Sequence, residues 1–361
     1  MIGLFDHHSG EKCMSKKIIN VGLLGFGLSA SVFHAPLIKS VPGFKLTHIL
    51  SRQEDKVLTV YPDVEVVTDI EVLLANPEID LLINTLPNEL HYSVTKRCLE
   101  AGKNVVVEKP FVVNTPHAEE LIELAKSKNL CLSVYHNRRW DNGYLTLQQE
   151  LSKLGTVSLY EAYFDRYRPE VNLQKWRETT NHGGGILYDL GSHLLDQALN
   201  LFGMPEAIFA DLETQRVNAQ LTDYFQIILY YQKMRVVLGS SSIMTQARPI
   251  LAAYGDKGSF VKYGLDPQED MLRSGMTPVD ADFGVENEIN NAQLSINSEH
   301  GLTRQLIISQ TGNYPYFYQQ LYRALVDRDH EVPVSARSAA NVIRLIELSI
   351  QSNDLGQKIY L

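Results

Sequence analysis

Two rhythms of apolar and polar positions divide the chain. From residue 18 to about 136, short and nearly unbroken apolar runs alternate with stretches of helical spacing. IINVGLL opens the series with Ile18, Ile19 and Val21, as a strand buried on both faces would. FKLTHIL (44–50) predicts a second strand and residues 65–67 a short third. IDLLINTL (79–86), KNVVVEK (103–109) and LCLSVYH (130–136) predict three more. Helices are expected near 69–75, 89–101 and 116–128, with Asn88 and Gly102 supplying start and stop chemistry for the second. Strands in alternation with helices make a parallel, doubly wound sheet.

Beyond about residue 140 the strands lengthen and follow one another closely. TVSLYEAYFDRYR (156–168), AIFADLETQRV (207–217), TDYFQIILYY (222–231) and MRVVLGSSS (234–242) are the clearest. ILAAYGDKGSFVKYG (250–264) has a hairpin's form, turning at Gly255 to Gly258. Together they predict one large, open, mostly antiparallel sheet with helices on one face. The other face needs a cover, and a second copy of the chain supplies one, as a homodimer or homotetramer. The polar stretch 264–303 lacks periodicity and is expected to be loop; helical patterns return at 315–328 and 336–351. The fold class is therefore α/β, with a doubly wound domain followed by an α+β domain.

Composition narrows the partners. A net charge of −9 without a basic run speaks against nucleic acid or an anionic membrane. No apolar stretch is long enough to span a bilayer, and no segment has signal-peptide form, so the cytoplasm is the expected location. Cys13, Cys98 and Cys131 show no paired spacing, which fits a reducing compartment and argues against a cysteine zinc site. Met14-Ser15-Lys16-Lys17 reads as a natural start, so residues 1–15 are set aside as an extension or tag.

Candidate chemistry begins directly after the first strand. Gly25, Gly27 and Ala30 have the spacing G-x-G-x-x-G/A, with Phe26, Leu28 and Ser29 between them. Such a turn lets backbone approach a pyrophosphate, which the following helix start attracts. The second strand ends in Ser51-Arg52-Gln53, with no carboxylate before Glu54. A carboxylate there repels a 2′-phosphate, whereas serine and arginine bind one, so NADP(H) is favoured over NAD(H). Ligands in such sheets bind beyond the strands' carboxyl ends, where Leu86-Pro87-Asn88 and Glu108-Lys109-Pro110 fall, with His34 and His91 near the same rim. A lysine partly desolvated there shares protons with a substrate hydroxyl. In HGGGILYDLGSHLLDQALNLFG (182–203), Asp189 and His193 lie four apart on a helical face rich in leucine, and Asp196 follows. Two adjacent ligands without a third do not make a metal site, and no metal is invoked.

These residues resemble the Gfo/Idh/MocA family of NAD(P)-dependent oxidoreductases. The resemblance is carried by GLLGFG with FHAP (33–36), EKP (108–110) and GGGILYDLGSHLLDQ. YHNRRWD (135–141), FDRYRP (164–169), KYGLDPQE (262–269) and GNYP (312–315) are similar to the branch of NADP-dependent scyllo-inositol dehydrogenases. The resemblance implies a Rossmann domain (16–136) and an α+β substrate and oligomerisation domain (137–361) whose last segment packs back on the first. It also implies a catalytic set of Lys109, Asp189 and His193, acting on a secondary alcohol of a cyclic polyol or sugar. Asn137, Arg166 and Trp176 are candidates to line the substrate site. The same superfamily also contains nicotinamide-dependent glycosidases and the fold serves non-catalytic sensors, so both stand as alternatives.

Overall fold

The computed structural model describes residues 17–174, 178–179, 183–327 and 329–361; Trp176 and the stretch 1–15 set aside above lie outside the described residues. The first sheet has six strands: β1 (Ile19–Leu24), β2 (Phe44–Leu50), β3 (Glu65–Val67), β4 (Leu81–Asn84), β5 (Asn104–Glu108) and β6 (Leu132–Tyr135). All pair in parallel, in the order β3-β2-β1-β4-β5-β6. Val21, Leu23, Ile83, Val106 and Val134 are wholly buried, because helices cover both faces. These are α1 (Ala35–Ser40), α2 (Glu54–Val60), α3 (Ile70–Ala75), α4 (His91–Glu100) and α5 (Thr115–Ser127). Ile18 stays exposed, so the first strand starts one residue later than its pattern predicts. Strand order reverses between β1 and β4, and there the carboxyl ends of the strands leave a crevice.

The second sheet runs β14-β13-β12-β11-β7-β10-β9-β8-β15. Its strands are β7 (Val157–Tyr163), β8 (Ala207–Glu213), β9 (Tyr224–Tyr230), β10 (Arg235–Ser241), β11 (Leu251–Gly255), β12 (Gly258–Lys262), β13 (Ala292–Ser298), β14 (Gly301–Ile307) and β15 (Ile359–Tyr360). Within this sheet only β7 and β10 pair in parallel among its described strands, so it is mixed and mostly antiparallel. Five more helices accompany it: α6 (Asn142–Glu150), α7 (Ser192–Phe202), α8 (Gln268–Arg273), α9 (Pro315–Val326) and α10 (Ala336–Leu355). Along β9, Phe225, Ile227 and Leu229 are buried while Tyr224, Ile228 and Tyr230 are half-buried on the other face.

The segment 264–303 departs from the loop expected of it, since it holds α8, β13 and the start of β14. Asp266 Oδ2 accepts from Asn142 N at 2.7 Å and Gln268 Oε1 from Tyr314 N at 2.7 Å, which pins the start of α8. β14 lies at the sheet's edge with its residues exposed through Leu306. A strand with no buried side has no reason to alternate, and so carries no periodic signal.

α9 and α10 bring the chain back onto the first sheet. Phe317 meets Tyr135 edge-on at 5.0 Å and Tyr318 meets Phe44 at 5.9 Å. α10 lies between α5 on one side and α7 and β8 on the other. Thr115 N donates to Glu347 Oε1 at 3.0 Å and Ser133 Oγ to the Val334 carbonyl at 2.8 Å. Among the described residues no helix is long and apolar enough to cross a membrane.

Candidate active site

The turn after β1 is shaped by its glycines. Gly25 has φ +99°, and a Cβ there would meet Thr85 Oγ1 at 3.2 Å and Leu86 Cδ2 at 3.3 Å. At Gly27 a Cβ would meet nothing within 4 Å, so bare backbone faces open space. Phe26 anchors the turn edge-on against Tyr61 at 6.0 Å, while Leu28 is exposed. The chain then enters a π-helical turn, Ser29–His34, before α1. Ala30 is fully buried at its start, which seats the turn on the sheet. Open backbone at Gly27 beside a helical start is a cradle that the pyrophosphate of a dinucleotide fits. At the end of β2, Ser51 Oγ accepts from Gln53 N at 3.0 Å and Arg52 is exposed.

The loops after β4 and β5 face the same crevice. Leu86, Pro87 and Asn88 leave β4, and Asn88 Nδ2 donates to the Gly183 carbonyl at 2.9 Å, tying this rim to the glycine run of the second domain. His91 is buried, with Nδ1 at 2.7 Å from the Pro110 carbonyl and Nε2 at 2.9 Å from that of Leu86. Both ring nitrogens thus face carbonyls of the two loops, one of which the single N–H of the neutral ring can bond. Glu108 is similarly engaged: Oε1 accepts from His34 Nε2 at 2.9 Å and from Ser29 Oγ, and Oε2 from Lys109 N at 2.9 Å. Burial would raise its pKa, but His34, Ser29 and the Lys109 charge outweigh it and hold the carboxyl down to about 2. Tyr318 of α9 reaches the other nitrogen of His34. Ser29 and His34, read from sequence as cofactor and rim residues, therefore brace the glycine turn against the strand that carries Lys109.

Lys109 crosses to the second domain. Its Nζ donates to Asp189 Oδ1 at 2.7 Å and to the Asp189 main-chain oxygen at 2.8 Å. Asp189 lies in a π-helical turn, Leu187–Gly191, that leads into α7, and His193 sits in α7's first turn. Arg166 Nη1 is 3.8 Å from Asp189 Oδ2, and Asn137 is buried just after β6. His193 is 5% exposed, and its pKa falls well below 6.5. Burial is the main cause, and the charges of Lys109, Arg138, His136 and Arg166 add to it. At neutral pH the ring is uncharged and able to take a proton. The structure thus brings Lys109, Asp189 and Arg166 together from two domains, with His193 near enough to feel the charges of Lys109 and Arg166.

Sequence reasoning left out three neighbours. Arg138 bridges Asp141 and Glu269, each at 3.2 Å, and packs its guanidinium over Phe164 at 5.0 Å. Glu269 comes from α8, inside the stretch that looked like loop. His136, directly after β6, lies edge-on to His193 with ring centroids 6.1 Å apart. The YHNRRWD stretch holds His136 and Arg138, so it was visible as a motif but not as chemistry. Among the described residues no group of three histidine, cysteine, aspartate or glutamate side chains is placed to hold a metal ion.

Two family models match the chain. "Oxidoreductase family, NAD-binding Rossmann fold" covers residues 19–136, and "Oxidoreductase family, C-terminal alpha/beta domain" covers 150–361. The uncharacterized oxidoreductase YdgJ of Escherichia coli is 44% identical over 92% of this chain and 96% of its own. The scyllo-inositol 2-dehydrogenase (NADP(+)) IolW of Bacillus subtilis is 39% identical over 95% of this chain and 96% of its own. Among solved structures, yvaA of Bacillus subtilis superposes with a TM-score of 0.94 at 39% identity, covering 96% of this chain and 99% of that one.

Proposed function

Because the chain belongs to the Gfo/Idh/MocA family of NAD(P)-dependent oxidoreductases, we propose that it interconverts a secondary alcohol and a ketone on a cyclic polyol or sugar. The observation that carries this reading is the meeting of Lys109, directly after β5, with Asp189 of the second domain, one turn before the uncharged His193. In oxidation His193 takes the hydroxyl proton as general base. Lys109 donates to the same oxygen and stabilises the negative charge that develops on it. Asp189 holds the ammonium in place and, with Arg166 and Asn137, offers hydrogen-bonding groups to the other hydroxyls. A nicotinamide dinucleotide bound in the crevice supplies the hydride acceptor. The turn at Gly25 to Ala30 and the Leu86 to Asn88 loop hold its phosphates and ribose. NADP(H) is the preferred form, since Ser51 and Arg52 stand where an NAD-selective chain carries a carboxylate. The name of IolW points to the same cofactor and to an inositol-like substrate.

A second copy of the chain is proposed to cover the outer face of the large sheet, where Leu159, Ile228, Val237 and Tyr254 are only half-buried. Sedimentation velocity tests it, and a monomer at micromolar concentration rejects it. The activity is tested by screening inositols and aldoses for reduction of NADP and NAD, with His193→Ala as control. Free reduced cofactor accumulating with product supports a dehydrogenase. Glycoside cleavage without its release identifies a glycosidase instead, and no reduction with any polyol or sugar rejects the substrate class.

A further inference from the structure

His136 is 1% exposed, yet neither ring nitrogen has a hydrogen-bond partner. Its ring stands at 86° to that of His193, the centroids 6.1 Å apart. His193 shows a matching deficiency, with Nδ1 sealed from solvent and unpartnered, while Nε2 is not among the sealed atoms. On another side, His136 Nδ1 lies 4.0 Å from Asp196 Oδ2, beyond direct hydrogen-bond reach. Asp196 is itself fixed, accepting from Arg139 Nε at 2.8 Å and Nη2 at 2.6 Å. Buried nitrogens in native proteins find partners, and ordered water bridges gaps of this kind. His193 and Asp196 are three apart on α7, on one side of the helix, and His136 is within reach of both.

We propose that His136 is a positioning residue for the base. With Asp196 it forms a buried, water-bridged hydrogen-bond chain that keeps the proton of His193 on Nδ1 and leaves the Nε2 lone pair facing the substrate hydroxyl. Which nitrogen of an imidazole carries the proton is set by the partner at the other. A base in the wrong tautomer presents a donor to the hydroxyl it must deprotonate. The Asp196–Arg139 ion pair anchors the far end, and Lys109 and Glu108 are the other charges that act on His136. The inference rests on His193 being the base.

Nitrogen-15 spectra of histidine-labelled protein read the tautomer directly, with His193→Ala assigning the resonance. His193 is expected as the Nδ1–H form in the wild type and as a mixture of tautomers in His136→Phe, which keeps a ring but offers no nitrogen. Turnover of the same variant should fall roughly tenfold to a hundredfold with KM within about twofold, and its kcat/KM pH profile should shift. His136→Asn, which restores polar atoms, should recover part of the loss and serves in its place should the phenylalanine variant not fold. A wild-type His193 protonated on Nε2, or a His136→Phe variant with tautomer and kcat both unchanged, overturns the proposal. The spectra need no turnover, so they decide the tautomer even where the substrate reading fails. A fully active His193→Ala variant would reject the base assignment itself.

Discussion

Replacing Lys109 by methionine probes the site at its centre. An ammonium has three donors, and two are committed to Asp189, at 2.8 and 2.7 Å. One N–H is left for the substrate oxygen. Methionine keeps the length of the stem and removes both that donor and the charge. A charged donor aimed at a developing oxyanion in a sheltered site is worth about 2.7–4 kcal/mol, or ~10²–10³ in kcat. Ground-state binding loses less, so KM should move by about threefold or less. The Lys109 and Asp189 side chains are only 14% and 21% exposed, so the variant leaves a largely buried carboxylate and should lose stability by up to the ~3–5 kcal/mol of a broken buried pair. Arg166 remains beside Asp189. Steady-state oxidation at saturating NADP measures the effect, and fluorescence titration of NADPH verifies an intact crevice. Lys109→Arg should not restore the rate, because a planar fork cannot place the same three donors. Asp189→Asn should combine with Lys109→Met non-additively, since the two groups act as one unit. A methionine variant within about threefold of wild-type kcat, with normal cofactor affinity, would refute the assignment.

His193→Ala should lower kcat by roughly 10²–10⁴. Because burial and nearby cations depress the wild-type ring's pKa, the acid limb of its oxidation profile should lie well below pH 6.5; a limb at or above 6.5 contradicts this. His91, His136 and His193 are all depressed, chiefly by burial, so below pH 6.5 the unfolded chain takes up protons that the native one refuses. Stability should therefore fall as pH drops from 6.5, by at most about 1.4 kcal/mol per unit per histidine, and urea unfolding between pH 7 and 5.5 that shows no slope excludes it. Gly27→Ala should leave stability within about 0.5 kcal/mol while weakening dinucleotide binding, whereas Gly25→Ala, at φ +99° and against Thr85, should cost about 1–2 kcal/mol in thermal unfolding. Arg52→Ala should weaken NADP(H) by about tenfold and NAD(H) far less, as one charge-assisted phosphate contact allows; equal loss of both points to stacking on adenine.

The first sheet was legible because its strands are buried on both faces, so Ile19–Leu24, Leu81–Asn84 and Asn104–Glu108 stand out as apolar runs. The glycine turn and the lysine were legible for a related reason: each directly follows such a run, at the edge where ligands bind. Arg138 and Glu269 were not. Their meaning depends on Arg138 bridging to a carboxylate 131 positions away, and no local period encodes a contact of that range. β14 was hidden by exposure, and in β13 only Ala292 and Leu294 are buried, too short a pattern to stand out. His91 was read as a rim residue from its place after β4, but only the fold shows its ring held between two carbonyls.

The two π-helical turns belong to the same class of hidden feature, and both fall at the site. Over a single turn, apolar spacing does not separate i→i+4 from i→i+5 bonding, so Ser29–His34 and Leu187–Gly191 both read as ordinary helix. A π turn takes more residues per revolution than an α turn and is frequent at functional sites. In the first, it brings Ser29 and His34 together onto one oxygen of Glu108. In the second, it presents both the main-chain oxygen and the carboxylate of Asp189 to Lys109.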